Sequence, residues 1–212
     1  MMKQKIFDYY MKSVLENDKE HTSVLRFCKD LKIKESEFYN CFASLDYLRS
    51  QIFLQFYNNT YSLIQKEKGY NSKLPKEKLL SFYFTFFEVL LLNRSYVLFA
   101  LHGGKSQLDK MVALKSFRRE FKQFAAILIQ DGNATKQSII NKRPESIFSE
   151  GAWIQLIFLL KFWMEDVSPD FEKTDIAIEK SVRTVFDLFD NSPFDSLIDL
   201  GKFLWKEKFN MV

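Results

Sequence analysis

Hydrophobic residues recur every three to four positions along most of the chain, which is the spacing of amphipathic α-helices. In the first third of the sequence this pattern predicts four helices. They are a helix ending near Asn17, a helix capped by Thr22 or Ser23, a short helix over 35–41, and a long helix capped by Ser44 that runs to about Glu67. The second and third helices are short and joined by a tight turn, so the stretch predicts a helix-turn-helix.

The rest of the chain has the same helical pattern. We expect helices over 75–101 with a candidate break at Asn93-Arg94-Ser95, over 108–130 with a stop at Asp131-Gly132-Asn133, over 149–166, from Ser168-Pro169-Asp170 onwards, and over 192–208, with a connector over 133–143. Only 6 glycines and 4 prolines occur in 212 residues, which disfavours turn-rich β and doubly wound folds. The predicted fold is all-α, with a three-helix head over 1–48 and a larger helical domain over 49–212, joined by a linker helix over about 44–67.

Composition and charge narrow the functional classes. The chain has 31 basic and 27 acidic residues, and this net charge of +4 permits nucleic-acid binding without indicating it. Two cysteines without CxxC spacing and two distant histidines favour no metal, no cofactor and a reducing cytoplasm. Phosphate-loop, nucleophile-elbow and zinc-peptidase motifs do not occur in the sequence, so we expect no enzyme. Signal-peptide features and uncharged apolar runs of about 18 residues are missing too, so we expect a soluble protein with no membrane span.

Eight positions in the helix-turn-helix stretch carry a resemblance to a known family. They are Thr22, Phe27, Cys28, Ile33, Phe38, Tyr39, Phe42 and Leu48. Their pattern resembles the DNA-binding head of the TetR family of transcriptional regulators. The resemblance implies a homodimer whose second short helix enters the major groove of operator DNA, and a ligand that releases the DNA when it binds the larger domain. Candidate DNA contacts are Thr22, Lys34, Ser36, Tyr39 and Asn40; the alternatives are a helix cap for Thr22 and ordinary surface for the others.

The head also departs from the family pattern where DNA would be touched. Lys32 replaces the turn glycine, Ser36 replaces the glycine of the recognition helix, and Leu45 replaces a lysine that contacts a phosphate. Glu35 and Glu37 add carboxylates to the short helix that should face the DNA. Residues 1–50 hold nine Lys and Arg against eight Asp and Glu, so the head has little excess charge with which to neutralise phosphates.

The 23 phenylalanines are more than ordinary packing of this length requires. They either fill a core or surround a cavity for a large apolar ligand such as a fatty acid, an isoprenoid or a hydrophobic drug. The candidate cavity residues are Phe86, Phe87, Tyr96, Phe99, Phe117, Phe121, Phe124, Trp153, Phe158 and Trp163. The last helices have wide apolar faces that would bury against a second copy, and their candidate dimer contacts are Leu156, Leu160, Ile178, Val182, Val185 and Phe189.

A second, local resemblance lies in the run FWMEDVSPDFEKT. It is similar to a segment of the lipid-binding accessory protein of ubiquinone biosynthesis, which has the TetR fold without acting as a repressor. The shared residues are Asp166, Ser168, Pro169, Asp170, Phe171 and Thr174, in a type of helix start that is common among proteins. The leading hypothesis is a ligand-responsive TetR-like regulator, most simply a repressor. Its alternatives are a lipid- or isoprenoid-binding protein that no longer binds DNA and a purely structural helical protein.

Overall fold

A computed structural model describes residues 2–102, 106–134 and 145–190. Within these ranges the chain forms α-helices and two one-turn 3-10 helices, Tyr70–Ser72 and Pro169–Phe171, and no strand, so the all-α prediction is confirmed. The α-helices are α1 (Met2–Asn17), α2 (Val24–Leu31), α3 (Glu35–Tyr39), α4 (Leu45–Ile64), α5 (Pro75–Leu91), α6 (Arg94–Leu101), α7 (Gln107–Ala134), α8 (Glu145–Glu165) and α9 (Glu172–Asp190). The helix expected over 192–208 and most of the connector expected over 133–143 lie outside the described residues.

The chain divides into two compact units. The first comprises Met1–Tyr70 and Phe82–Gln123, and the second comprises Asn71–Ser81 and Phe124–Val212. The boundaries fall inside α5 and α7, so these two helices contribute residues to both units. The predicted division at residue 48 separates a DNA-binding head from a ligand-binding domain and does not coincide with the boundary of either compact unit. It stays a prediction.

The first part of unit 1 has a small aromatic core centred on Phe27. Ile6, Phe7, Tyr10 and Val14 of α1 recur at helical spacing and are all buried. The Phe27 ring of α2 lies 6.1 Å from that of Tyr10 and 5.8 Å from that of Phe38 on α3. Helices α2 and α3 are too short to be stable alone, so they depend on the core that they share with α1.

A second aromatic cluster in unit 1 joins α4, α5 and α7. The Phe86 ring stacks on Phe117 with a centroid distance of 4.9 Å, and Phe82 lies 5.2 Å from Phe121. Tyr57 of α4 completes the cluster, 6.0 Å from Phe117. These distances are those of favourable aromatic pairs, so the rings pack directly on one another.

Unit 2 is built on the pairing of α8 with α9. The Gln155 amide on α8 donates to the Ser181 hydroxyl on α9 at 3.0 Å, and the Phe148 and Phe186 rings lie 5.8 Å apart. Among the described helices, α8 alone is long and apolar enough to match a membrane span; α5 and α6 match only if taken together, and they are bent by 93°. The buried side chains of α8, such as those of Ala152 and Leu159, are typical of a core helix.

Helices α7 and α8 have boundaries that differ from those expected. The break between α5 and α6 at Asn93 is confirmed, but α7 continues through Asp131-Gly132-Asn133 to Ala134, so the expected stop is wrong. The Asp131 carboxylate accepts from Lys78 at 3.0 Å, and a Cβ added at Gly132 would lie 3.7 Å from the Pro75 side chain. These contacts with α5 stabilise a final turn whose local sequence disfavours helix. Helix α8 also begins earlier than expected, at Glu145.

The start of α9 is also different from the expectation. Ser168-Pro169-Asp170 forms a 3-10 turn, and Asp170 and Phe171 have φ values of 50° and 60°, so a regular helix cannot begin there. Asp166 organises the junction instead. Its Oδ1 accepts from the amide and hydroxyl of Ser168 at 2.8 and 2.7 Å, and its Oδ2 accepts from the amide and hydroxyl of Thr174 at 2.9 and 2.7 Å. Burial raises the pKa of Asp166, but these hydrogen bonds outweigh it and lower the pKa from 3.8 to about 2.

We predict that Asp166→Asn lowers the free energy of unfolding of unit 2 by about 1–2 kcal/mol at pH 7, because an amide nitrogen cannot accept hydrogen bonds from a hydroxyl and a backbone amide. A folded-state pKa below the unfolded value adds stability above pH 3.8 that is lost as the pH falls towards 2. The difference between the variant and the wild type should therefore shrink in that range. Urea unfolding followed by tryptophan fluorescence measures it, because all three tryptophans lie beyond residue 150.

The matched control for this prediction is Glu165→Gln, which removes the same charge from the neighbouring, exposed side chain. It should leave the free energy of unfolding within about 0.5 kcal/mol of the wild type. An equal loss in both variants would contradict a specific role for Asp166.

Candidate nucleic-acid interface

The second and third helices are joined by a turn of three residues, 32–34. Ser23 caps α2, with its hydroxyl accepting from the Arg26 amide at 3.3 Å. At the other end Lys32 takes the left-handed conformation, with φ 58° and ψ 49°. The amides of Lys32 and Ile33 then donate to the carbonyls of Lys29 and Cys28 at 3.2 and 3.0 Å, which is the Schellman pattern. The turn therefore has the geometry that glycine favours, although a lysine occupies it.

Helix α3 is a short helix with one buried anchor and a polar surface. Phe38 is fully buried, and the Glu37 carboxylate accepts from the Lys34 backbone amide at 2.8 Å. Glu37 therefore caps the start of its own helix, where a negative charge also suits the helix dipole. Of the two carboxylates in the candidate DNA-facing helix, Glu35 and Glu37, the second therefore has a structural role.

All five predicted DNA contacts are exposed on the head. Ser36, Tyr39 and Asn40 are spaced three and four residues apart, so they share one side of α3, and Tyr39 exposes 52% of its surface. Lys34 begins the helix. Thr22 is free of the capping role, because Ser23 performs it. All five side chains are accessible to a partner, and their role as DNA contacts stays a prediction.

Two basic residues of the head differ in whether their charge is already paired within the protein. Arg49 of α4 forms ion pairs with both Glu20 and Asp46 and is largely buried, so its charge is used inside the head. Lys3 of α1 is exposed, and its Nζ lies 5.6 and 5.8 Å from the rings of Phe7 and Phe42. Since Phe42 follows α3, this contact brings a cation from the start of α1 to the end of the candidate recognition helix. Sequence patterns do not indicate this contact, because Lys3 and Phe42 lie 39 positions apart.

The predicted cavity residues belong to several environments, which we describe for each unit separately. In unit 1, Phe86, Phe117 and Phe121 pack in the cluster with α4, whereas Tyr96 lies 6.4 Å from Tyr10 in the head core. Phe87 is buried and Phe99 is partly buried. In unit 2, Phe124 and Trp163 are buried, Trp153 is partly buried, and Phe158 exposes 56% of its surface. A ligand cavity lined by these residues stays a prediction.

The predicted dimer contacts are mostly interior residues of one chain. Leu156, Leu160, Ile178 and Val182 are buried in unit 2, and Val185 is partly buried. The side chain of Phe189 lies outside the described part. Their burial within one chain leaves less of these apolar faces for a second copy to contact, and the dimer contact stays a prediction.

Comparison with known proteins identifies the class. Residues 78–204 match the family model described as "Tetracyclin repressor-like, C-terminal domain". A search of curated proteins found no match. The family match covers more than half of the chain, and it lies outside the head residues that carry the resemblance. The chain belongs to this tetracycline-repressor-like family and is a TetR-family regulator. The local similarity to the ubiquinone accessory protein is not supported by these comparisons, and three of its six residues, Asp166, Ser168 and Thr174, form the hydrogen-bonded start of α9.

We predict that Lys32→Gly raises the free energy of unfolding of the head by about 0.5–1 kcal/mol, because glycine adopts the left-handed conformation without the steric cost that a side chain incurs. Amide hydrogen exchange over 2–48 measures the change. Lys29→Gly is the control within the same helix, and it should lower stability by about 1 kcal/mol because α2 is helical there. A destabilising Lys32→Gly would show that the turn conformation is not the one described.

Proposed function

We propose that the protein is a cytoplasmic, ligand-responsive transcriptional regulator that binds double-stranded operator DNA as a homodimer. The observation that carries the proposal is the exposed, polar side of α3, held by the buried Phe38 in a helix-turn-helix and attached to a chain of the TetR family. A helix of this kind can enter the major groove and present side chains to base edges. Ser36, Tyr39 and Asn40 are the residues that would do so.

The electrostatics of the head favour a modest number of phosphate contacts. Arg49 is neutralised by Glu20 and Asp46, so exposed lysines must supply most of the attraction. Lys34 directly precedes α3, and Lys3 of α1 contacts Phe42, which follows α3, so the two lysines lie near opposite ends of the helix. Tyr47 of α4 also packs near Phe42, at 6.5 Å, and is partly exposed. Lys3 and Tyr47 therefore extend the candidate interface beyond the residues that the sequence suggested.

The exposed side of α8 is the surface that we propose for contact with a second copy. Ile147, Ile154 and Phe158 are separated by seven and four residues, so they lie along one side of the helix, and all three are exposed. Gly151 lies between them, with no neighbouring atom within 4 Å of the Cβ it lacks. A stripe of large apolar side chains with a small residue in it suits close packing against a second copy.

The proposed effector is a large apolar molecule. The support is compositional, since aromatic side chains make up a large share of the buried residues of unit 1, although the interior of unit 2 is mostly aliphatic. A protein that binds a lipid without binding DNA is the second candidate, favoured by the weak charge balance of the head. Native mass spectrometry of the purified chain would reveal a co-purified apolar ligand in either case.

DNA binding separates the two candidates. Fluorescently labelled duplexes that tile the DNA flanking the protein's own gene should include one that binds the full chain at low salt and resists non-specific competitor DNA. Binding should weaken steeply as salt rises, because contacts with phosphates release counterions. A chain that binds none of the duplexes at low salt would remove the regulator proposal.

We predict that Lys3→Gln reduces the salt dependence of DNA binding by about one unit of slope, since one phosphate contact contributes about 0.9. Fluorescence anisotropy between 50 and 200 mM salt measures the slope. Lys12→Gln is the control on the same helix, because Lys12 already pairs with Glu16 at 3.6 Å. Equal slopes for the wild type and Lys3→Gln would exclude Lys3 from the interface.

We predict that Phe158→Ser weakens dimerisation at least tenfold. In a two-fold symmetric contact the substitution acts twice, and each lost aromatic side chain contributes about 1.5–3 kcal/mol when fully buried. Sedimentation velocity at micromolar concentration measures the change, with Ile127→Ser as a control for an exposed apolar residue on α7. A monomeric wild type, or an unchanged dimer in Phe158→Ser, would remove this contact.

A further inference from the structure

A cluster of three polar side chains joins α4 to α7 inside unit 1. We call it the Ser116 cluster, and its members are Ser50 and Gln51 of α4 and Ser116 of α7. The Ser50 and Ser116 hydroxyl oxygens lie 3.0 Å apart, and Gln51 Nε2 lies 3.1 Å from the Ser116 hydroxyl. Ser50 and Gln51 are 4% and 7% exposed, so α4 buries two consecutive polar side chains here. Buried polar groups are costly unless they are hydrogen-bonded, so the contacts of this cluster matter to the fold.

The directions of these hydrogen bonds follow from the donors available. The Ser50 hydroxyl donates its one hydrogen to the Tyr47 carbonyl at 2.9 Å, so its oxygen accepts from Ser116. The Ser116 oxygen in turn accepts from the Gln51 side-chain amide. Ser116 therefore makes both hydrogen bonds between the two helices, one as donor and one as acceptor.

The contacts of α4 near the cluster include pairs of aromatic rings. The Tyr57 ring lies 6.0 Å from that of Phe117 on α7, and the Phe53 ring lies 6.2 Å from that of Tyr96 on α6. Attraction between apolar surfaces is not directional, so such contacts constrain the rotation of α4 less strictly than hydrogen bonds do. Hydrogen bonds need distances near 3 Å and aligned donors, so the Ser116 cluster is satisfied in one register of α4 on α7.

The cluster lies at the end of α4 that carries the head. Ser50 directly follows Arg49, whose guanidinium holds Glu20 of the loop between α1 and α2. The Ser50 hydroxyl also binds the carbonyl of Tyr47, whose side chain is exposed beside Phe42 in the candidate interface. A rotation of α4 at Ser50 therefore moves both the loop and Tyr47.

We propose that Ser116 is a positioning residue that sets the orientation of the head for DNA binding. It does so by fixing the register of α4 on α7 through its hydrogen bonds with Ser50 and Gln51. Replacing buried polar partners together by apolar groups of similar shape is often neutral for stability, whereas buried polar groups can determine helix register. The effect on DNA binding rests on the proposed function, whereas the effect on the position of α4 does not.

The test compares the full-length wild type with three variants. The apolar variant, Gln51→Met/Ser116→Ala, removes both hydrogen bonds between the helices and leaves Ser50 bonded within α4. Ser116→Thr keeps the hydroxyl at this half-buried position, and Gln55→Met/Ser62→Ala is a control that makes the same chemical changes elsewhere on α4. Urea unfolding followed by circular dichroism should give similar midpoints for all four proteins. A clearly lower midpoint in the apolar variant alone would overturn the proposal, because the cluster would then act by stabilising the fold.

The position of the head is measured without DNA, as the distance between two spin labels. Labels at Lys29→Cys on α2 and Gln123→Cys on α7 occupy exposed positions of unit 1, in a Cys28→Ala/Cys41→Ser background. Excess unlabelled chain restricts the measurement to distances within one chain. We expect one narrow distribution for the parent, Ser116→Thr and the control, and a shifted or broadened distribution for the apolar variant. An unchanged distribution in the apolar variant would overturn the positioning role.

The same variants, without labels, are then compared on the duplex that the wild type binds. If the binding-competent register falls to about one tenth of the population, the apparent dissociation constant rises about tenfold. We expect this rise in the apolar variant, and values within about twofold of the wild type in Ser116→Thr and the control. A displaced head with unchanged affinity would overturn the link to DNA binding. A wild type that binds no duplex would refute the proposed function, while the spin-label distance would still decide whether Ser116 positions α4.

Discussion

The packing around Phe27 is the interaction on which the head depends. Its ring is fully buried and contacts Tyr10 of α1, His21 of the loop and Phe38 of α3. Since α2 and α3 have eight and five residues, neither would be stable alone, and this shared side chain fixes their relative orientation. Because the Phe27 ring packs against Phe38, the opposite, polar side of α3 faces the solvent. Phe27 contacts Phe38, and Phe38 contacts the candidate DNA contact Tyr39, so only one side chain separates the core ring from the candidate interface.

Several charges of the head stabilise the fold rather than remain available to a ligand. Glu37 caps α3, Arg49 holds the loop through Glu20, and the formal charge of residues 1–50 is therefore a poor guide to what DNA would encounter. The surface left to meet phosphates is set by exposed lysines and tyrosines around α3.

The sequence predicted the helices of the head well, because caps and apolar spacing are local signals. Ser23 and Ser44 cap helices as expected, with hydroxyls that accept from Arg26 and Tyr47 amides. The end of α7 cannot be predicted from local sequence, since its last turn is stabilised by the long-range pairing of Asp131 with Lys78. The sequence pattern places the start of α9 too early, because it does not show that the Asp166 carboxylate accepts hydrogen bonds from both Ser168 and Thr174. The approach of Lys3 to Phe42 and the burial of Leu156 and Ile178 within one chain depend equally on tertiary structure.

The central claim is that the exposed side of α3 reads DNA. Its most direct test is the dissociation constant of the double variant Tyr39→Ala/Asn40→Ala on the duplex that binds the wild type. Each direct base contact contributes about 1–3 kcal/mol, so the account predicts binding at least tenfold weaker, with the head still protected in hydrogen exchange because both side chains are exposed. An unchanged dissociation constant would contradict it.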